Sequence, residues 1–198
     1  DASIGVIGPG TGLGVCSFVP MPAPGFALPG EGGHVTYAPQ TDREHAIVER
    51  LKARYSHVSA ERVVSGPGLV ALYEAIVSLN AGPTTSLSPA QVTARGLGNE
   101  DCAAVEALAV FCAMLGNVSG NLALTLGARG GVYIAGGIIP KLGTTFAQSP
   151  FRASFENKGR FQRYLARIPT YVITTALLGL RGAALALRDS PVETGLRI

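Results

Sequence analysis

Within seven residues, Leu28-Pro29-Gly30-Glu31-Gly32-Gly33-His34, three glycines and a proline bracket one carboxylate and one imidazole. Glycine loses more backbone entropy on folding than any other residue, so a packed element gains little by collecting it. A loop that brings main chain and two polar side chains up to a small ligand does gain. Taken alone, the run fits such a ligand loop or a glycine-rich turn with Glu31 and His34 solvated. A second run, Gly8-Pro9-Gly10-Thr11-Gly12-Leu13-Gly14, offers backbone N–H groups beside the hydroxyl of Thr11. That combination suits phosphate oxygens, the alternative being an ordinary tight hairpin. It is not a dinucleotide fingerprint, because Val15 stands where a glycine or alanine is required and a strand follows instead of a helix. Nor is it a Walker loop, since no Gly-Lys-Ser/Thr follows. A third place is Gly136-Gly137, which ends the apolar run Gly-Val-Tyr-Ile-Ala at 131–135. A buried strand ending in two glycines is a usual resting place for a nucleotide in an α/β sheet, and equally a plain strand-to-helix turn.

These residues need elements to hold them. Residues 3–8 and 15–19 read as two strands joined by the first glycine run into a hairpin. After residues 35–38, Thr41 and Glu44 form a capping box, and Ile47, Val48, Leu51 and Tyr55 share one helical face. Residues 57–64 read as a short extended segment carrying Glu61. Ser65 caps the next helix, with Pro67 in its first turn and Leu69, Val70, Tyr73, Ile76 and Val77 on one side. Residues 80–86 are a loop, and Ser88 with Gln91 and Pro89 opens another helix. The longest helix is expected over 101–126, ending at Gly127, with Gly116 and Gly120 on one face admitting a close neighbour. Residues 150–156 and 160–165 read as short helices around Gly159, 170–174 as a strand and 176–188 as an apolar closing helix. Strands alternating with helices predict an α/β domain with a mixed sheet.

Bulk composition narrows the function classes. With 198 residues, 47% hydrophobic and 15% charged, the chain describes a globular core and not a disordered one. A net charge of +3 is too modest to imply nucleic acid, and Arg152, Lys158, Arg160, Arg163 and Arg167, mixed with Glu156, read as a solvated helix surface. Cys16, Cys102 and Cys112 give neither a disulfide framework nor zinc spacing, which favours a reducing, cytoplasmic setting. No signal peptide is visible. The apolar stretch 103–126 raises the question of a membrane span, but Glu106, Asn117, Ser119 and Asn121 interrupt it, so a buried core helix and no membrane partner are expected. The chain opens at Asp1 without methionine and enters a strand at once, so it reads as a piece of something longer.

Four runs in order, GPGTGLGV at 8–15, LPGEGGH at 28–34, HVSAERVVSGPGL at 57–69 and IAGGIIP at 134–140, resemble bacterial glucokinases of the hexokinase group, members of the actin-like ATPase superfamily. Weaker similarity continues through FRASFENKGRF at 151–161. The resemblance implies the large C-terminal domain of that family over residues 1–198, with an actin-like (ribonuclease H-like) mixed sheet flanked by helices. It implies ATP-binding roles for Gly10, Thr11 and Gly12 in the second phosphate loop and for Gly136 and Gly137 on the adenosine side. It implies sugar-binding roles for Glu31, His34 and Glu61. A hexose is a ring of hydroxyl donors, so carboxylates are suitable acceptors. The implied reaction is transfer of the γ-phosphoryl of ATP, with Mg2+, to the 6-hydroxyl of glucose, the entry step of glycolysis, in a cytoplasmic homodimer.

The departures matter as much. The family's first phosphate loop, Asp-x-Gly-Gly-Thr, and its Asn-Asp pair carrying the catalytic base are absent from this sequence. Both belong to the family's small N-terminal domain, so no catalytic residue is expected in this chain. Asn99-Glu100-Asp101 opens a helix and lacks the context of that pair. A related group of sugar kinases and sugar-sensing repressors carries Glu-Gly-Gly-His before a zinc-holding cysteine cluster; here no cysteine follows until Cys102, so no bound metal is expected. No DNA-binding helix pair is present either. Kinases for mannose or an N-acetylhexosamine, and a non-catalytic sugar-binding or sensing module, are the alternatives.

Overall fold

The computed structural model describes residues 2–20, 25–83, 85–175 and 177–189. The sheet grows outward from its middle strand. β1 (Ile4–Pro9) buries alternate residues, with Ile7 fully enclosed, as a half-buried strand should. β2 (Leu13–Val19) returns antiparallel, and the register closes with Pro9 opposite Leu13. Only Gly10, Thr11 and Gly12 remain in the turn, so the hairpin is tighter than the glycine run implied. β3 (Phe26–Gly30) adds antiparallel to β2 as an exposed edge and leads into a 3-10 turn, Gly32–His34. β4 (Val132–Ile134) and β5 (Thr170–Val172) extend the other side in parallel, giving the order β3-β2-β1-β4-β5. Parallel pairing of β1 with β4 requires a crossover. It is supplied by α1 (Asp42–Lys52), α2 (Ala60–Val63), α3 (Gly66–Leu79), α4 (Pro89–Leu97) and α5 (Cys102–Leu126). Four short helices follow, α6 (Ile139–Leu142), α7 (Thr144–Ala147), α8 (Phe151–Glu156) and α9 (Gln162–Ala166), before α10 (Leu178–Asp189).

The core centres on α5. By length and composition it could cross a membrane, but Phe111, Leu115 and Ala123 are buried, and the helix packs on α3, α4, α8 and β1. Its Gly116 and Gly120 do what their spacing predicts: a Cβ at either would strike the main-chain carbonyl of Phe151 or Phe155 in α8. The capping box at Ser88 and Gln91 and the Ser65 cap with its proline also form as read.

Three expectations need correction. Residues 57–64 are extended only at their start. Ala60, Val63 and Val64 are all buried, and their i, i+3 spacing curls the chain into α2. At α1, Thr41 accepts from the N–H of Glu44, but the Glu44 carboxylate does not reach back to the cap. It turns inward instead, where Tyr37 and the N–H of Gln40 donate to it. The basic cluster is not uniformly solvated: Arg152 donates to the carbonyls of Leu165, Ala166 and Ile168 at the end of α9, and Lys158 donates to Asn117. The closing helix is apolar as expected, yet Leu180, Leu185 and Leu187 lie exposed; its expected first residue, Ala176, lies outside the described residues.

Candidate functional site

The three-residue turn between β1 and β2 is the point on which the other candidates converge. The Gly10 N–H turns back to the Gly12 carbonyl at 2.8 Å, and the Gly66 N–H, at the start of α3, donates to the Gly10 carbonyl at 2.8 Å. The Leu13 N–H donates to Oε2 of Glu61 at 2.9 Å. Gly33 is buried with its α-carbon against the Leu13 main chain. Thus the 3-10 turn, α2 and α3 all close on one hairpin. Gly10 and Leu13 have their N–H groups engaged within the protein, while those of Thr11 and Gly12 have no partner among the described residues, and Thr11 is exposed. Ser65, accepting from the Gly68 N–H, fixes the start of α3 beside this turn, and Thr11, Glu61 and Ser65 line a small cleft of about 60 Å³ there. The positive end of a helix next to a nest of free N–H groups suits an anion.

Glu31 and His34 sit side by side, Oε2 to Nε2 3.8 Å, with 89% and 63% of their side chains exposed. Apart from this contact, neither side chain hydrogen-bonds to another described residue. Glu31 overlooks a recess of about 370 Å³ that also includes Gly8, Cys16 and Ala135. The chain beyond His34 is zipped to the segment before Glu61. Tyr37 donates its N–H to Val58 at 3.0 Å, Ala60 donates to Val35 at 2.9 Å, and the Thr36 hydroxyl meets Nε2 of His57 at 2.8 Å. Glu31, His34 and Glu61 therefore belong to one structural unit, although they are 30 positions apart in the chain at their widest.

Gly136 and Gly137 lie across the sheet from this unit. Gly136 has φ +88°, and a Cβ there would collide with the Pro9 carbonyl, so only glycine fits without strain. At Gly137 a Cβ would meet nothing within 4 Å, leaving the main chain open to a ligand. The two glycines, with Thr174, Thr175 and Leu178, border a recess of about 520 Å³. Gly8 and Ala135 line both this recess and the one beside Glu31.

Asp101 is accounted for elsewhere. It caps α5, accepting from the N–H groups of Ala103 and Ala104, and also accepts from the Tyr73 hydroxyl. Burial pushes its carboxyl up, but the hydrogen bonds from Tyr73, Ala104 and Ala103 outweigh that and hold it below the usual carboxylate range. Among the described residues no three His, Cys, Asp or Glu side chains cluster as metal ligands. Three participants were not legible in the sequence: Gly33 as a steric contact, Gly66 as a donor and the Leu13 N–H as partner of Glu61. Each depends on a meeting of segments distant in the chain, for which no local signal exists.

The profile of the glucokinase family, described as "Glucokinase", matches residues 1–190. A glucokinase from Chromobacterium violaceum is 53% identical over 189 residues, covering 96% of this chain and 54% of that protein. One from Nitrobacter hamburgensis is 56% identical over 180 residues, 89% of this chain and 56% of that protein. The crystal structure of a glucokinase from an Antarctic psychrotroph superposes with a TM-score of 0.88 at 35% identity, over 96% of this chain and 59% of that one. The chain thus spans about half the length of the relatives it matches. Its mixed sheet flanked by helices is the actin-like ATPase fold of these kinases. Similarity in sequence along nearly its whole length, and in fold, establishes that the chain belongs to the glucokinase family.

Proposed function

We propose that the chain is the large C-terminal part of an ATP-dependent kinase that phosphorylates D-glucose on its 6-hydroxyl. The observation that carries this reading is the convergence of the Glu31–His34 unit and Glu61 on the hairpin turn, because phosphoryl transfer needs acceptor and phosphates held against each other. Glu31, His34 and the free oxygen of Glu61 bind sugar hydroxyls. The N–H groups of Thr11 and Gly12 take phosphate oxygens, and Gly136 and Gly137 pass the adenosine. Mg2+ travels on the nucleotide phosphates, where it neutralises charge developed in the transfer.

In this reading the described residues hold and orient the substrates, and none of them takes the proton from the sugar hydroxyl. Asp101 is engaged as a cap, and Glu31 is open to water. The base then belongs to the small N-terminal domain of a longer protein, closing over the sugar and excluding water as it does so. The three free cysteines support a reducing cytoplasmic setting. A homodimer and a place in glycolysis complete the proposal, resting on the family alone.

The test is Glu31→Gln in the full-length protein, with steady-state kinetics for both substrates. Glutamine keeps the shape and loses the charge, so a charge-assisted bond weakens by about 1–2 kcal/mol, a rise of roughly five- to thirtyfold in KM for glucose. The KM for ATP should stay unchanged. Equal losses for both substrates overturn the assignment.

A further inference from the structure

A polar chain runs through the interior behind the Glu31–His34 turn. Tyr37, 3% exposed, donates its hydroxyl to Oε2 of Glu44 at 2.8 Å, and the Gln40 N–H donates to the same oxygen at 2.7 Å. Asn117, 1% exposed in the middle of α5, donates Nδ2 to the Ala38 carbonyl at 3.0 Å. Its Oδ1 accepts from Nζ of Lys158. The Lys158 stem reaches this position over Gly120, where a Cβ would press on Cε at 2.8 Å. A carboxylate therefore stands at one end of the chain and an ammonium near the other, with the segment 37–40 held between them.

The direction of the Asn117 amide decides whether this works. An ammonium has three donors and no acceptor, so Lys158 requires the amide oxygen to face it. The amide NH₂ then faces the Ala38 carbonyl, which also accepts from Nε2 of Gln40 at 2.9 Å, and lies 3.5 Å from the Tyr37 hydroxyl. Without Lys158 the amide can turn over and present its oxygen to the Ala38 carbonyl, which repels it. We infer that Asn117 and Lys158 are positioning residues for sugar binding: Lys158 sets the polarity of the Asn117 amide, and that amide anchors the strap that follows His34. This rests on the reading of Glu31 and His34 as sugar ligands. Because Val35, Thr36 and Tyr37 are zipped to residues 57–60, slack at Ala38 passes to both sides of the sugar site.

Two variants of the full-length protein separate positioning from stability. Lys158→Met keeps the stem and removes the charge. Asn117→Asp keeps a partner for Lys158 and replaces the donor to Ala38 with an oxygen that its carbonyl repels, so it breaks the anchor while leaving the Lys158 contact. Both should raise the KM for glucose by about tenfold, the equivalent of one buried hydrogen bond. The KM for ATP should remain within about twofold when each variant is measured well below its own melting temperature, where a loss of stability alone moves neither constant. A glucose KM unchanged in Asn117→Asp, or glucose and ATP constants rising together, overturns the inference and leaves only a structural network. Glu31→Gln measured alongside distinguishes the two levels. If it raises the glucose KM while Asn117→Asp does not, the inference alone fails; if Glu31→Gln changes neither constant, the sugar-ligand reading fails.

Discussion

Gly33→Ala should be the most damaging single methyl addition in the Glu31–His34 turn. A Cβ at position 33 would overlap the Leu13 carbonyl oxygen and lie 3.2 Å from the Leu13 Cβ, where real Cβ atoms almost never come within 3.0 Å of a neighbour. The obstacle is backbone in the middle of the hairpin, so no rotamer change relieves it. The turn must back away from β2 by roughly an ångström, and misplacement by about 1 Å can cost on the order of 100-fold in rate. Overpacking of this kind costs about 1–3 kcal/mol in stability, which for a chain this size lowers Tm by about 2–4 °C per kcal/mol. Neighbouring glycines supply the controls. At Gly32 the same methyl would meet Cγ1 of Val15 at 2.8 Å, a side chain that can turn aside, so a smaller loss is expected. At Gly10 it would meet nothing within 4 Å, so Gly10→Ala should leave Tm unchanged. Thermal melts of the chain and glucose kinetics of the full-length protein measure both effects. If Gly33→Ala lowers Tm no more than Gly10→Ala does, or leaves the KM for glucose unchanged, the contact between turn and hairpin is not what positions the site.

Two further outcomes bear on other parts of the molecule. Gly136→Ala forces an L residue into a left-handed φ, costing about 1–2 kcal/mol, and pushes against Pro9; the KM for ATP should rise while that for glucose holds, and the reverse pattern would contradict the adenosine-side role. Burial pushes the Cys112 thiol up from 9.0 to about 11, with Ser149 opposing. The folded chain keeps that proton between these values while the unfolded chain loses it. Stability from this group is therefore whole below pH 9 and falls by about 2–3 kcal/mol on the way to pH 11. In Cys112→Ala, denaturant midpoints followed across that range should decline less steeply; an identical slope would show that the thiol is not the titrating group.

What could be read in the chain, and what could not, divides by distance along it. The caps at Ser65 and Ser88 and the small face of α5 are local patterns, decided by residues within a turn or two, and they form as read. The Thr41–Glu44 box is also local, yet half of it fails because a buried tyrosine offers Glu44 a better partner than the cap does. Arg152 and Lys158 look like surface charge for the same reason, since nothing near them in sequence announces the carbonyls and the amide they meet. Glu61 is the sharpest case. The family resemblance implies it as one sugar ligand among three, but the fold ties one of its oxygens to the Leu13 N–H, 48 positions away, and sets it 2.6 Å from where a Cβ at position 12 would stand. A residue in that position cannot serve the sugar alone. Whatever moves its free oxygen, including a hydroxyl binding to it, also pulls on the turn at residues 10–12 that is proposed to hold the phosphates. Glycine at position 12 is required by the carboxylate packed on it, and in the proposed function the sugar and phosphate halves of the site share this one joint.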